Sequence, residues 1–436
     1  MLRFLKKPKK RVCVIGLDGV PHSLIGRLTA DGGMPTMAEL ANRGYLHKMK
    51  VTLPEISSVS WTSFMTGAGP GEHGIFGFID LKPGGKEVRF PGFRDLQVPT
   101  LWDRLGERSK KSVVINQPST YPARPIPGVL VSGFVALDLR KATHPPRLFV
   151  DLKRMNYELD IDTQRARVDS DYLIQSLNST LQGRRAVLDL LWDKEDWDYF
   201  QLVVTGTDRL QHYLWNAIDD SDHPYHQAVR DYYRKVDDLV GEIVDRFQKM
   251  MGKDDGLSNL FLLSDHGFTG IEKEFNLNVW LRQEGCQEIH ADGEPSLNDL
   301  SADSRAFALD PNRIYFNRKD RFADGCVDPH DIPALIEEMT RKLLELRCDG
   351  TPVVREVLRC NDIYQGSQTT RGPDLIVLTH YGYDAKSSLS KKELFSDTDL
   401  QGMHTWDDAF FWSAEAMDGE LNIVDLAPML ESRLIG

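Results

Sequence analysis

The sequence predicts an α/β fold whose central, largely parallel sheet is flanked by helices. Two observations carry this. Short, unbroken apolar runs bounded by charged or turn residues have the pattern of strands buried on both faces, as parallel strands are. Between them lie stretches with apolar residues at helical spacing, and strands alternating with helices build a parallel sheet.

The first run is Val12-Cys-Val-Ile-Gly-Leu17, closed by Asp18-Gly19. A helix over about Pro35–Arg43 follows. Pro35 fits its first turn, and Gly44 is expected to stop it in the left-handed conformation. Further strands are predicted at Ser112–Ile115, Val129–Val131, Tyr199–Thr205 and Leu260–Ser264. The clearest helix runs from about His226 to Phe247, with apolar residues such as Val229, Tyr233, Val236, Val240 and Ile243 at helical spacing. Two regions interrupt the alternation. Residues 141–196 are polar and helical in pattern and are read as a helical cap insertion. Residues 300–378 hold strand-like Arg313–Asn317 and Asp374–Leu378 around a helix near 332–346, and are read as a small α+β insertion. Residues 1–140, 197–299 and 379–436 then form the catalytic core.

Composition narrows the class. A 436-residue chain that is 41% hydrophobic and 27% charged has the proportions of a globular protein, which excludes disorder and coiled coil. No run of about 18 apolar residues reads as a membrane span. The net charge of −12 excludes a dedicated nucleic-acid binder, which needs a basic footprint. The cysteines (Cys13, Cys286, Cys326, Cys348 and Cys360) are odd in number, scattered and without a CxxC pair, which fits a reducing, cytoplasmic setting. In the basic opening Met1–Arg11, the following apolar segment ends at Asp18, too soon for a signal peptide. It is read as a solvated tail, with weak attraction to anionic membranes as the alternative. Glycine-rich Rossmann and P-loop patterns, HExxH and EF-hand loops are all missing from the sequence.

Chemistry gathers at the ends of the strands. Asp18 follows the first. Asp208 and His212 follow the strand ending at Thr205, spaced to share one helical face. Asp265 and His266 follow Leu260–Ser264, and His404 lies near the C-terminus. Ligands of open α/β sheets bind beyond the carboxyl ends of the strands, so most of these groups converge on one edge. Carboxylates mixed with imidazoles suit zinc or manganese, and there are more ligands than one tetrahedral ion uses, which points to two. Singly, each is an ordinary turn or cap residue; together they are not explained that way. The remaining histidines are read as structural, with His73 left open.

Four segments occur in order: Leu17-Asp-Gly19, Met34-Pro-Thr-Met-Ala-Glu-Leu-Ala-Asn-Arg-Gly44, Ser60-Trp-Thr-Ser-Phe-Met-Thr-Gly67 and Pro70-Gly-Glu-His-Gly-Ile75. They resemble the opening of the alkaline phosphatase superfamily, in its branch of type I phosphodiesterases and nucleotide pyrophosphatases. Thr207-Asp-Arg-Leu-Gln-His212, Ser264-Asp-His-Gly267 and Gly402-Met-His404 resemble the later metal motifs of that branch. The likeness is closest to bacterial members described as predicted phosphohydrolases or phosphomutases. It implies an alkaline phosphatase-like fold and a two-metal phosphoesterase acting on a small phosphoester. The family's spacing places the nucleophile at Ser57, with Ser58 as the neighbouring register. It further implies one metal held by Asp208, His212 and His404, and a second by Asp18, Asp265, His266 and the Ser57 hydroxyl.

Two departures bear on substrate. Ser57-Ser-Val-Ser-Trp61 lacks the Pro and Arg of sulfatases, which disfavours sulfate esters. Phe78 stands where nucleotide pyrophosphatases carry a phosphoryl-contacting Asn, so that donor is either missing or supplied from elsewhere, which weakens the expectation of nucleotide pyrophosphates as substrates. Trp61 and Phe78 are candidate walls of a substrate pocket. A phosphodiesterase working through a phosphoserine is the leading expectation. A phosphomonoesterase or phosphomutase with the same nucleophile is the alternative, with a non-catalytic metal-binding member as a third class.

Overall fold

The computed structural model describes residues 9–252 and 256–436. Its centre is a nine-stranded sheet. Five strands run parallel, in the spatial order Leu260–Leu263, Val12–Leu17, Tyr199–Val204, Ser112–Gln117 and Gly128–Ser132. All five are at the predicted places. Each is buried over nearly its whole length, as a parallel strand covered on both faces must be. Antiparallel neighbours extend both sides: Ala409–Ser413 then Tyr45–Lys50 beyond Leu260–Leu263, and Thr143–His144 beyond Gly128–Ser132.

Helices cover the two faces. On one, the predicted helix His226–Met251 packs with Pro35–Arg43 and Ser170–Trp192. These helices share one apolar cluster with Val113, Ile115 and Phe200 of the sheet. On the other, Ser57–Thr66, Leu101–Glu107 and Leu426–Ile435 pack with Val14, Val114 and Val203. The helix Pro35–Arg43 ends where predicted, but for a different reason. Gly44 is extended, with φ −161°, and a Cβ there would lie 2.6 Å from the Ser413 carbonyl oxygen and 2.7 Å from the Trp412 ring. Close approach to the adjacent strand, not left-handedness, requires this glycine.

A separate four-stranded antiparallel sheet, ordered Ala306–Leu309, Arg313–Phe316, Leu375–Thr379 and Val354–Arg359, carries the helix Ile332–Glu345. Its core draws Phe275, Leu277 and Trp280 from before residue 300 and Tyr383 and Ala385 from after 378. Of the basic opening, residues 1–8 lie outside the described residues. Lys9 and Arg11 are paired with Asp196 at 2.7 and 3.2 Å.

Candidate metal centre

The carboxyl edge of the parallel strands gathers the groups that the motifs single out. Asp18 ends Val12–Leu17. Asp208 and His212 lie on the helix Gly206–Leu214, which leaves the end of Tyr199–Val204. Asp265 and His266 follow Leu260–Leu263 directly. His404 stands on a short strand, Gly402–Thr405, pinned antiparallel to Gly267–Gly270 with Phe268 opposite His404. That pairing carries a residue more than a hundred positions away to the same edge. Asp18, Asp265 and His266 are sealed from solvent, whereas His212 and His404 border a cavity.

Two ligand sets result. Asp208 Oδ1 lies 3.2 Å from His404 Nε2 and 3.4 Å from His212 Nε2, and the two Nε2 atoms are 3.0 Å apart. His266 Nε2 lies 3.4 Å from Asp265 Oδ2, 3.7 Å from Asp18 Oδ1 and 3.0 Å from Ser57 Oγ. His266 also stacks on His404 with ring centroids 3.6 Å apart and lies 3.8 Å from Asp208 Oδ1, so the sets adjoin.

The donor chemistry fits divalent cations. Each of the three histidines donates its Nδ1–H to a backbone carbonyl: His212 to Gly402 (2.9 Å), His266 to Gly267 (3.0 Å) and His404 to Glu55 (2.9 Å). This fixes the tautomer that leaves Nε2 as a bare lone pair. Burial holds His266 and His404 below the usual imidazole range, opposed at both by the charge of Asp208. The Nε2 atoms of His212 and His404 point into the same space beside Asp208. Burial raises Asp18, aided by the charges of Asp265 and Asp208, and pushes Asp265 up to about 8. Asp208 is lowered despite its burial, because His212 and His404 hold its anion. Asp265 Oδ2 is buried without a hydrogen-bond partner. Three buried carboxylates and convergent nitrogen lone pairs are costly in a low-dielectric site unless cations occupy it.

Ser57 is the first residue of the helix Ser57–Thr66, where N–H groups lack intrahelical acceptors and the dipole favours anions. Its hydroxyl reaches His266 and, at 3.5 Å, Asp18 Oδ1. Ser58 points elsewhere: its hydroxyl is buried and unpartnered, on the wall of a different cavity. Trp61 has another place than the pocket wall expected of it. It is fully buried behind Asp18, donating Nε1–H to Oδ2 at 2.9 Å. Gly16 makes the room, since a Cβ there would lie 2.5 Å from the Trp61 ring. Phe78 does line space, standing between two cavities. A polar one of about 210 Å³ is bordered by His212, His404, Glu55, Asn312 and Lys386. An apolar one of about 500 Å³ is bordered by Ser58, Thr62, Phe93, Val135 and Leu137. His73 is structural: it accepts from the Ile75 N–H at Nδ1 and meets Ser63 Oγ at Nε2.

A model of the type I phosphodiesterase / nucleotide pyrophosphatase family matches residues 12–407. The chain belongs to this family. It is therefore a phosphoester hydrolase by membership, and it carries clustered groups that could hold divalent metals. No curated protein matches it in sequence. Among solved structures, phosphonoacetate hydrolase from Sinorhizobium meliloti 1021, in complex with phosphonoformate, superposes with TM-score 0.64 at 15% identity, covering 98% of this chain and 96% of that one. Alkaline phosphatase PafA gives 0.59 at 15%, with the same coverage. Murine ectonucleotide pyrophosphatase/phosphodiesterase 5, an inactive variant in complex with AMP, gives 0.56 at 12%, covering 98% and 95%. The fold of this phosphodiesterase-family chain is alkaline phosphatase-like. Among the described residues, no helix is long and apolar enough to cross a membrane.

Sequence reasoning missed the groups that hold the ligands. The Glu55 and Gly402 carbonyls carry no sequence signal. Arg209 was visible only as a neighbour of Asp208. Its guanidinium lies 3.2 Å from Asp208 Oδ2, pairs with Asp160 at 2.6 Å and covers the Phe134 ring at 4.6 Å. Lys386 and Asn312 lie in no recognisable pattern.

Proposed function

We propose that this protein is a two-metal phosphodiesterase in which Ser57 is the nucleophile. The observation that carries the proposal is the position of Ser57 Oγ, 3.0 Å from His266 Nε2 and at a helix N-terminus, beside the carboxyl and imidazole groups of the two clusters. Asp208, His212 and His404 would hold one ion, and Asp18, Asp265, His266 and the Ser57 oxygen the other. Zinc suits these nitrogen and oxygen donors best, with manganese as the alternative. Bound there, divalent cations supply Lewis-acid stabilisation of an alkoxide and of phosphoryl oxygens.

The chain's own residues do the rest. Trp61 fixes Asp18, and the Glu55 and Gly402 carbonyls orient His404 and His212, so Ser57 meets a preorganised anion site. Ser57 Oγ displaces one alkoxide from phosphorus, which leaves as an alcohol. A phosphoserine ester remains, and water hydrolyses it to regenerate Ser57 and release the monoester.

A diester is favoured over a monoester by charge. Arg209 is committed to Asp208 and Asp160, and Lys386 to Asp384 at 2.7 Å. Phe78 offers no hydrogen bond where a donor would serve a dianion. The two cavities flanking Phe78 give a diester's two substituents separate places. Small phosphorus-containing anions bound in neighbours of this fold, phosphonoformate and AMP, fit a small-molecule substrate. All five cysteines are free, in keeping with a cytoplasmic setting.

A substrate panel tests this. A bis-aryl phosphodiester is expected to show higher kcat/KM than the aryl monoester, with an aryl sulfate almost inert. A clear monoester preference would replace the proposal with the phosphomonoesterase or phosphomutase reading.

A further inference from the structure

Among the described residues, four of the ten large exposed hydrophobic side chains lie in two short segments, 88–90 and 135–137: Val88 (44%), Phe90 (79%), Val135 (55%) and Leu137 (89%). Three of them, Phe90, Val135 and Leu137, ring the apolar cavity whose inner wall is Ser58, Thr62 and Phe78. Scattered exposed apolar residues need no explanation, but a cluster at the mouth of a cavity beside the nucleophile does. Beyond Pro122, which borders this cavity, a second hollow is edged by Arg94, Arg140 and Lys141. None of these three has a salt-bridge partner among the described residues, although the chain carries a net charge of −12. Arg140 lies over the Phe149 ring at 4.7 Å, and Asp138 accepts from the Lys141 N–H. Apolar side chains projecting from these segments, edged by unpaired cations, match the chemistry of a bilayer interface with anionic headgroups.

We propose that this face seats on an anionic lipid surface and that the apolar cavity takes an acyl or alkyl chain of a phosphodiester lipid. Phe90, Val135 and Leu137 enter the interface while Arg94, Arg140 and Lys141 meet headgroup phosphates. The cavity then draws one chain in beside Ser58 and Phe78, which sets the phosphodiester near Ser57. The cavity's size is that of a ligand site, and its wall is mostly apolar, with Ser58, Thr62, Ser119 and Tyr121 the residues on it that bear hydroxyls. The choice of a lipid diester as substrate rests on the phosphodiesterase reading; the attachment to the surface does not.

The test uses the full-length chain carrying Ser57→Ala, so that no turnover consumes the surface. Flotation with phosphatidylcholine–phosphatidylglycerol vesicles is expected to recover the protein, and vesicles of phosphatidylcholine alone to recover several-fold less. Adding Phe90→Asp and Leu137→Asp, at positions exposed enough to leave folding intact, is expected to lower partitioning at least about tenfold. Arg140→Glu with Lys141→Glu should give a similar loss on anionic vesicles. Protein that ignores anionic vesicles, or floats undiminished after the apolar double substitution, overturns the proposal. So does protein that hydrolyses a long-chain soluble phosphodiester while ignoring vesicles, which would leave a soluble amphiphile as the cavity's occupant. Wild-type hydrolysis of a bis-aryl diester without vesicles is measured in parallel. Its failure would strike the phosphodiesterase reading alone.

Discussion

Arg313 and the carboxyl groups of Asp18, Asp208 and Asp265 are all buried ionisable groups, yet their surroundings meet them in opposite ways. Arg313, in the small antiparallel sheet, is fully buried and saturated: it donates to Asp80 Oδ1 at 3.1 Å, the Ile79 carbonyl at 2.8 Å, the Tyr315 hydroxyl at 3.2 Å and the Asp310 carbonyl. Burial still lifts Asp80 despite this partner. The pair thus specifies how the small sheet docks more than it adds stability. At the edge of the parallel sheet, three carboxyl groups share one guanidinium, and Asp265 Oδ2 is left without a donor. The first cluster is closed; the second is complete only with added cations. An unfilled cluster of ligand atoms, rather than burial alone, separates the candidate site from the structural pair.

The largest expected effect breaks the open cluster. Ser57→Ala should keep fold and metals yet lower turnover at least about 10³-fold, while Ser58→Ala keeps much of its activity. The reverse ranking in steady-state assays would move the nucleophile by one residue. Asp208→Ala or Asp265→Ala should remove metal as well as turnover, read by elemental analysis against about two ions per wild-type chain. At most one ion in the metal-replete wild type would remove the two-ion reading.

Breaking the closed cluster should act on stability instead. Arg313→Met strands Asp80 and is expected to cost about 3–5 kcal/mol in urea unfolding, with metal content per folded chain retained. Arg313→Met with Asp80→Leu should recover much of that loss. A double variant no more stable than the single would contradict the pairing.

A smaller effect is expected from pH. Asp265 is raised from 3.8 to about 8 in the metal-free fold, so between those values the folded state holds a proton that the unfolded state has lost. Metal-free protein should therefore lose stability as pH rises through that window, and bound metal should reverse the trend by displacing the proton. Melting curves with and without chelator check the sign; parallel pH profiles would contradict it.

The smallest effect concerns Phe78. Phe78→Asn restores a hydrogen-bond donor and should raise monoester kcat/KM relative to diester by up to about tenfold. An unchanged ratio would place the phosphoryl group away from this side chain.

The sequence by itself determined the five parallel strands and the residues at their ends, because burial on both faces leaves unbroken apolar runs and the chemistry sits where those runs stop. It did not mark Tyr45–Lys50 as a strand, since Lys48 and Lys50 interrupt its apolar residues and only Met49 is buried. It gave Gly44 the wrong reason, because close approach to Trp412 depends on a strand more than 350 residues away. Tertiary structure alone decided that Trp61 serves Asp18, that Arg209 is held by Asp160, and that the Glu55 and Gly402 carbonyls set the histidine tautomers. It also decided that segments 88–90 and 135–137 meet at one cavity mouth. Periodicity records whether a position is buried, which is a local average. Which distant group a buried atom meets depends on how the sheets and helices pack, and no local pattern encodes it.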